Sequence, residues 1–490
     1  MRRGSITIYL SLTLFVMIAL ITGSITSAKM QAGRMETANS TDQALYSLFA
    51  RYDRDLYEEF GLFFLSAQNG SGMDMGMVCD AVTDAMSYIL EPNKGRELLG
   101  GRNLLDLELS EKAVTGCVLA TDADGEIFAE QAVDYMKDTL GVQGIALLRE
   151  RVENHADTTK EQDRDGRALE QDVSQTSYQD LQERSAEAGT AAAEEGTELP
   201  ETDEEDREAA GILDTAANIQ KMSLLDLVVS DPGGISSNAI DRSTVLSSRS
   251  KESGFGVIDS VSTGGIDSFL FQEYLIQTFS SWRNPMQDAA LAYQMEYIIC
   301  GRSSDRENLE AVVNRLFAIR MAADLLAIYE DASLNGELTA IAASAAAALL
   351  IPEAAALVKL VLAAGWAFCE AAMDVRSLLA GKRIALVKSY AVWQVHLRDI
   401  PRLISNPDSL MTNVSGGMSY EDYLRVLMLL SDQKTKQLRA MDMVEYTIRA
   451  LGRPEFRLDN CICALSMELR VTSEHRRTFT TEQTIDYRSL

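Results

Sequence analysis

Residues 461–487 read CICALSMELRVTSEHRRTFTTEQTIDY, from Cys461 to Tyr487. Cys461, Cys463, Leu465, Met467, Leu469 and Val471 occupy every second position. After the charged stretch from Glu474 to Arg477, Phe479, Thr481, Gln483, Ile485 and Tyr487 repeat the pattern. A period of two places alternate side chains on one face of a strand, so the segment reads as a β-hairpin. Two strands alone are marginal in water and need a sheet to join.

Partners for that hairpin lie far upstream. Phe60-Gly61-Leu62-Phe63-Phe64-Leu65 is a short apolar run that reads as a buried strand. Leu105, Leu107 and Leu109 alternate with Asp106, Glu108 and Ser110, as in a half-buried strand. Val114 to Thr121 reads as another strand, closed by the turn Asp122-Ala123-Asp124-Gly125 and followed by a helix from Glu126 through Lys137. Val78, Val82, Met86 and Ile89 mark a further helix. If the hairpin completes this sheet, the chain between them is an insertion.

That insertion reads as helical over residues 266–452. Ser304 with Glu307, and Ser419 with Asp422, have the spacing of helix N-caps, and Gly452 followed by Pro454 has that of a helix stop. Leu338–Ile351 and Ala354–Cys369 are apolar and separated by Pro352-Glu353, and the second contains Lys359. Each is shorter than about 18 residues, so they read as a buried helical hairpin and not as membrane spans. Residues 151–210 differ in composition: 19 acidic against 6 basic side chains, with Tyr178 almost the sole aromatic. Such a stretch offers little apolar area to offset its ordering entropy and reads as an acidic, disordered linker.

At the amino end, Met1-Arg2-Arg3-Gly4 precedes 24 uncharged residues, Ser5 to Ala28. As a helix they extend about 36 Å, enough for a hydrocarbon core of about 30 Å. The reading is an uncleaved anchor; the alternative is a cleaved secretory signal ending at Thr26-Ser27-Ala28. The apolar stretch exceeds the usual signal core of about 7–15 residues, which favours the anchor. Arg2 and Arg3 lie on one side, Lys29 and Arg34 on the other, and the short basic end is expected to stay inside. Leu45, Leu48, Phe49, Tyr52 and Leu56 then continue a helical face beyond the membrane.

The expected fold class is therefore α+β. Residues 1–28 are the transmembrane helix, which continues into a long helix. Residues 29–150 form a membrane-proximal α/β domain, 151–210 the acidic linker, 211–453 a large mostly helical inserted domain, and 454–490 the hairpin that packs on 29–150.

The 490 residues carry 45 Lys plus Arg against 73 Asp plus Glu, a net charge of −28. With no basic run, the chain is poorly suited to phosphate neutralisation, and no nucleic-acid partner is expected. His155, His396 and His475 have no metal-ligand spacing, and neither a G-x-S-x-G elbow nor a P-loop occurs. Gly254-Phe255-Gly256 lacks the third glycine of a dinucleotide fingerprint. Glu161-x-Asp163-x-Asp165-Gly166 with Asp172 mimics a calcium loop, but has Glu at its first position and Ala168 at its eighth. Cys461-Ile462-Cys463 reads as buried apolar packing, and Cys79, Cys117, Cys300 and Cys369 as dispersed, mostly free thiols. No cofactor, metal or small-molecule substrate is expected.

Glu370 and Asp374 lie four apart on an apolar helix that also carries Arg376, so their carboxylates share a face. Paired acids can do acid–base work. The expectation is instead a structural ion network of Glu296, Arg315, Arg320, Glu370, Asp374 and Arg376, with Arg302 and Arg306 also available. The alternative is an extracytoplasmic enzyme or ligand-binding ectodomain with a cleft around Glu370 and Asp374.

A membrane helix running into a long outer helix resembles the amino end of type IV pilins and pseudopilins. Arg2-Arg3-Gly4 is similar to the short leader of Tad-type pseudopilins, but Tyr9 stands where these have Glu, so prepilin-peptidase cleavage is not carried over. Larger segments carry a second resemblance: Gly4-Ser5-Ile6-Thr7, Leu119-Ala120-Thr121-Asp122, Gln131-Ala132-Val133-Asp134-Tyr135-Met136-Lys137, Glu296-Tyr297-Ile298, Asp305-Arg306-Glu307-Asn308-Leu309, Trp366-Ala367-Phe368-Cys369-Glu370 and Asp374-Val375-Arg376-Ser377-Leu378-Leu379-Ala380-Gly381-Lys382. Together these resemble an uncharacterised family of single-pass membrane proteins of Gram-positive bacteria, associated with Tad-type pilus gene clusters. The resemblance implies an extracytoplasmic body held in the cell membrane through residues 5–28, with protein partners in the envelope or pilus machinery. It implies no catalytic residues. The expected function is that of a non-enzymatic structural or interaction protein.

Overall fold

The computed structural model describes residues 2–90, 105–174, 178–194, 203–219, 221–256, 267–287, 289–411, 413–473 and 477–489. The chain divides into two compact units. Unit 1 comprises 1–135, 244–267 and 441–490, and unit 2 comprises 136–243 and 268–440. Residues 136–150, within the expected membrane-proximal domain 29–150, belong to unit 2, whereas 244–267 and 441–453, expected in the inserted domain, belong to unit 1.

In unit 1, helix α1 (Arg2–Phe49) is followed by α2 (Arg54–Phe60), β1 (Leu65–Ser66), the short pair β2 (Gln68–Asn69) and β3 (Gly72–Met73), α3 (Met75–Leu90) and β4 (Leu107–Leu119). Strands β5 (Cys461–Ser473) and β6 (Thr478–Asp486) complete the sheet. Central β5 pairs antiparallel with β4 from Leu107↔Ser473 to Leu119↔Ile462, with β6 from Ala464↔Asp486 to Thr472↔Thr478, and with β1 at Leu65↔Ile462. The hairpin does close on upstream strands, and the fold is α+β. Its turn at residues 474–476 lies outside the described residues.

Two strand expectations are corrected. Phe60 ends α2, which Asp53 caps and Gly61 terminates in the left-handed region (φ 68°), leaving only Leu65–Ser66 paired. Strong helix-end chemistry outweighs the apolar run there. The two strands read at 105–121 are one strand, β4, whose register shifts at Leu109/Glu111, Val114/Gly116 and Val118/Leu119. Each bulge advances the pleat by one residue and interrupts the alternation.

Helix α1 changes character along its length. From Ile6 to Ile25 its large apolar side chains are bare, Leu10 being 65% and Phe15 72% exposed. It is long and apolar enough to cross a membrane. From Thr37 onward, Ser40, Thr41, Ala44, Leu45, Leu48 and Phe49 are buried, and the helix packs on α3 and β6. The spacing of three and four puts these residues on one face. Gly33 permits the approach, because a Cβ there would lie 2.5 Å from the ring of Phe479 on β6.

Gly254-Phe255-Gly256 has a structural role. Phe255 exchanges backbone hydrogen bonds of 2.9 and 2.8 Å with Cys117 of β4, and a Cβ on either glycine would overlap the β4 backbone. Nearby, Arg249 bridges Glu445 (2.6 Å) and Asp459 (2.9 Å).

Unit 2 is helical. It contains most of α4 (Glu126–Ser174), then α5 (Tyr178–Glu194), α6 (Glu204–Ile219), α7 (Leu224–Val228), α8 (Ser268–Thr278), α9 (Gln294–Cys300), α10 (Asp305–Glu330), α11 (Ala332–Ala348), α12 (Ala355–Leu379), α13 (Ile400–Ser405), α14 (Tyr420–Leu429) and the first half of α15 (Gln433–Ala450). Helix α12 is the core: it packs on α6, α10 and α11, and is buried almost throughout from Val358 to Leu379. Its apolar character is therefore that of an interior helix. Ser304 caps α10 through the Glu307 amide, and Ser419 with Asp422 forms a complete capping box on α14.

The acidic segment 151–210, expected to be a disordered linker, is helical over its described parts, 151–174, 178–194 and 204–210. Val152, Ala156 and Thr159 form one buried face on α4, and Leu181, Ala209, Ile212 and Ala216 continue the pattern on α5 and α6. A narrow apolar stripe suffices once it has a body to pack on, while the acids stay in water. The calcium-loop mimic at 161–172 lies within α4 and is not a loop. Its Gly166 serves packing, since a Cβ there would lie 2.6 Å from Ala322 Cβ on α10.

Candidate functional site

Five ionisable side chains meet in the interior of unit 2. Arg320 and Asp324 lie one turn apart on α10, Glu370 and Asp374 one turn apart on α12, and Lys388 enters from the segment between α12 and α13. Arg320 donates to Asp374 (Nε, 2.8 Å) and to Asp324 (Nη2, 2.8 Å). Lys388 Nζ contacts Glu370, lies 2.6 Å from Asp374 and 3.7 Å from Asp324. The second layer is polar as well. Gln394 donates to Asp374 through its side chain and to Glu370 through its backbone (2.9 Å), Val395 N adds a 2.8 Å bond to Glu370, and Tyr423 Oη accepts from Arg320 (3.2 Å).

Charge bookkeeping defines the state of this cluster. Three carboxylates face two cations, all of them buried. One proton neutralises the remainder. Burial pushes the Asp324 carboxyl up to about 8 against the pull of Lys388 and Arg320, and its Oδ2 has no hydrogen-bond partner among the described residues. Burial also raises Glu370, with Lys388 opposing. For Lys388 burial acts downward, but the three surrounding carboxylates outweigh it and hold the ammonium charged. The proton thus belongs to the group, with Asp324 its main seat.

Of the six residues expected to form one ion network, Arg320, Glu370 and Asp374 come together. The other three do not. Glu296 accepts from Tyr420 Oη (2.6 Å) and Trp282 N (2.9 Å), and burial pushes its carboxyl up to about 7. Arg376 pairs with Asp408 (2.7 Å) and donates to the Leu227 carbonyl. Arg315 is exposed and lines an open cleft of about 650 Å³. Arg315 and Arg376 diverge because residues five before Arg320 and two after Asp374 project from other faces of α10 and α12, while Glu296 belongs to α9. Of the other arginines considered, Arg306 reaches Asp226 at 3.8 Å, and Arg302 lines a second surface pocket.

Lys388, Asp324 and Tyr423 were not anticipated. Asp324 had a readable signal, its i,i+4 spacing from Arg320. Lys388 sits in irregular chain and had none.

Neither Glu370 nor Asp374 lines the two surface pockets just named. Both carboxylates are fully buried and hydrogen-bonded to protein groups, which leaves no access for a substrate at their oxygens. Among the described residues, no cluster of His, Cys, Asp and Glu is arranged to hold a metal ion. All six cysteines are free thiols. Burial pushes Cys117 up to about 12 and raises Cys463 further, so neither forms a thiolate near neutral pH.

Residues 202–473, more than half of the chain, match the model of a family of unknown function, DUF5702. The chain belongs to the DUF5702 family. The matched segment contains the whole buried charge cluster and β5 of the sheet. No curated protein and no solved structure matches the chain.

Proposed function

We propose that this DUF5702 protein is a non-enzymatic structural or interaction protein, anchored in the cell membrane through residues 5–28 with its body outside. In this reading it makes protein contacts in Tad-type pilus assembly or envelope adhesion. The observation that carries it is the two-part helix α1. Its first half has bare apolar side chains, and its second half is packed against α3 and the sheet through β6. A helix of this kind couples a lipid-facing stem rigidly to a folded head, as in pilin-like proteins. The saturated pairing of Glu370 and Asp374 supports a structural role for the acids that were the best catalytic candidates.

A clean deletion tests the reading. Pilus number by electron microscopy and surface attachment should both fall, and return on complementation with the intact chain. A complementing chain without residues 5–28 should restore neither. Unchanged piliation and attachment in the deletion strain would overturn the proposal, as would recovery of the native protein from the soluble fraction.

A further inference from the structure

The cleft of about 650 Å³ lies within unit 2, with walls from α4, α9, α10, α14 and α15. Exposed Leu430, with the edges of the largely buried Ile299, Ile319 and Leu427, supplies an apolar surface, while Lys160, Arg315 and Arg439 supply cations. Two carboxylates also line it, Asp163 and Asp432. Asp432 is turned back on its own chain, accepting from Thr435 N (2.9 Å) and Thr435 Oγ1 (2.8 Å) as the cap of α15. Asp432 keeps its charge, and Lys160 pairs with Asp157 at 3.8 Å, so the cleft has three cations against two carboxylates and its surplus lies at Arg315 and Arg439.

This surplus stands out in a chain of net charge −28. Among the described residues, neither Arg315 nor Arg439 has a carboxylate within ion-pair distance. Arg439 is also held in place. Its Nη1 donates to the carbonyls of Ile298 (3.1 Å) and Ile299 (2.9 Å), and its guanidinium lies over Gly301. Gly301 has φ +66°, and a Cβ there would lie 2.5 Å from Arg439 Cζ. Burial, together with the neighbouring charges of Arg242 and Arg315, holds Arg439 below the usual arginine range. A fixed, partly desolvated guanidinium such as Arg439, repelled by the exposed Arg315 beside it, is stabilised by an anion between the two, and a planar fork suits carboxylate or phosphate. The adjoining apolar wall favours a ligand with a hydrocarbon body.

We propose that this cleft binds an amphiphilic organic anion, its carboxylate or phosphate held by Arg315 and Arg439 and its apolar body lying on Leu430 and the edges of Ile299, Ile319 and Leu427. The proposal does not depend on the pilus reading.

Isothermal titration of the full chain in phosphatidylcholine nanodiscs, with hexyl phosphate as probe, tests it. The wild type should show saturable one-site binding, and Arg315→Ala should weaken it by about tenfold or more. Arg315 is exposed, so the variant should keep its tryptophan-monitored unfolding midpoint. Hexanol and inorganic phosphate, each with half of the ligand chemistry, should bind at least about tenfold more weakly. Absence of saturable wild-type binding, an Arg315→Ala affinity equal to wild type, or equal affinity for either half-ligand would overturn the proposal. Discs containing phosphatidic acid identify the source of the anion. Loss of free sites supports occupancy by a lipid headgroup, and an unchanged titration supports a soluble ligand.

Discussion

Replacing Lys388 by Met removes one of the two cations that hold three buried carboxylates. Its Nζ contacts Glu370, is 2.6 Å from Asp374 and is 3.7 Å from Asp324, so its charge serves all three acids. In the variant, a second carboxyl must take up a proton. At pH 7, a carboxyl with an unfolded pKa of about 4.3 does so at a cost of about 4 kcal/mol. The alternative, leaving the charge unpaired, falls in the same range of about 3–5 kcal/mol. The sign follows from the raised folded pKa: the variant keeps its stability below about pH 4 and loses it progressively as pH rises toward 7. Glu370→Gln in the Lys388→Met background removes the excess charge, while its amide oxygen can still accept from Gln394 N and Val395 N. It should recover most of the loss. The assay is denaturant unfolding followed by tryptophan fluorescence. The three tryptophans, Trp282, Trp366 and Trp393, all lie in unit 2, so the signal reports that unit alone. A loss below about 1 kcal/mol at pH 7, a loss independent of pH, or no rescue by Glu370→Gln would refute the electrostatic account.

Three further outcomes are expected. Burial pushes Lys436 down to about 8 from an ordinary 10.5, so its charged form opposes folding and stability should rise between pH 8 and 10.5. Lys436→Met should stabilise unit 2 at pH 7 by about 2 kcal/mol after allowing for the lost bond to the Met428 carbonyl, with no advantage above about pH 10.5; urea midpoints across pH measure this. Asp324, with its folded pKa raised to about 8, supports the fold below its unfolded value and ceases to as pH rises through 8. Asp324→Asn should therefore flatten the decline of the midpoint between about pH 4 and 8. Gly33→Leu drives a side chain into Phe479 and should release residues 33–49 of α1, seen as faster amide exchange there with an unchanged tryptophan transition.

Period and caps were legible wherever local chemistry decides the outcome. The hairpin at 461–487, the capped starts of α10 and α14, and the paired acids of α12 all follow from spacing within one element. Partnership was less legible. Residues 151–210 looked unable to order because composition counts charges and not the face on which they fall. Only after folding does the stripe from Val152 to Thr159 find a surface. The two apparent strands at 105–121 fuse because bulges break the pleat without ending the ladder. The charge cluster was half visible, as Glu370 and Asp374 announce themselves by spacing, whereas Lys388 reaches them from chain without periodicity. The same reason hid the basic side of the cleft: Lys160, Arg315 and Arg439 belong to three helices and form no run in the sequence.

The sheet of unit 1 has a bearing on biosynthesis. Strand β4 leaves the ribosome roughly 340 residues before β5, an interval of about 17–70 s at ordinary elongation rates. Throughout that time β1 and β4 have no central strand to join, and the apolar faces of α1 and α3 await Leu465, Met467 and Leu469. The growing polypeptide therefore has an open hydrophobic seam until β5 has been translated. A holding factor on the nascent chain would have its natural docking point there, and truncation before Cys461 would leave the seam permanently unsealed.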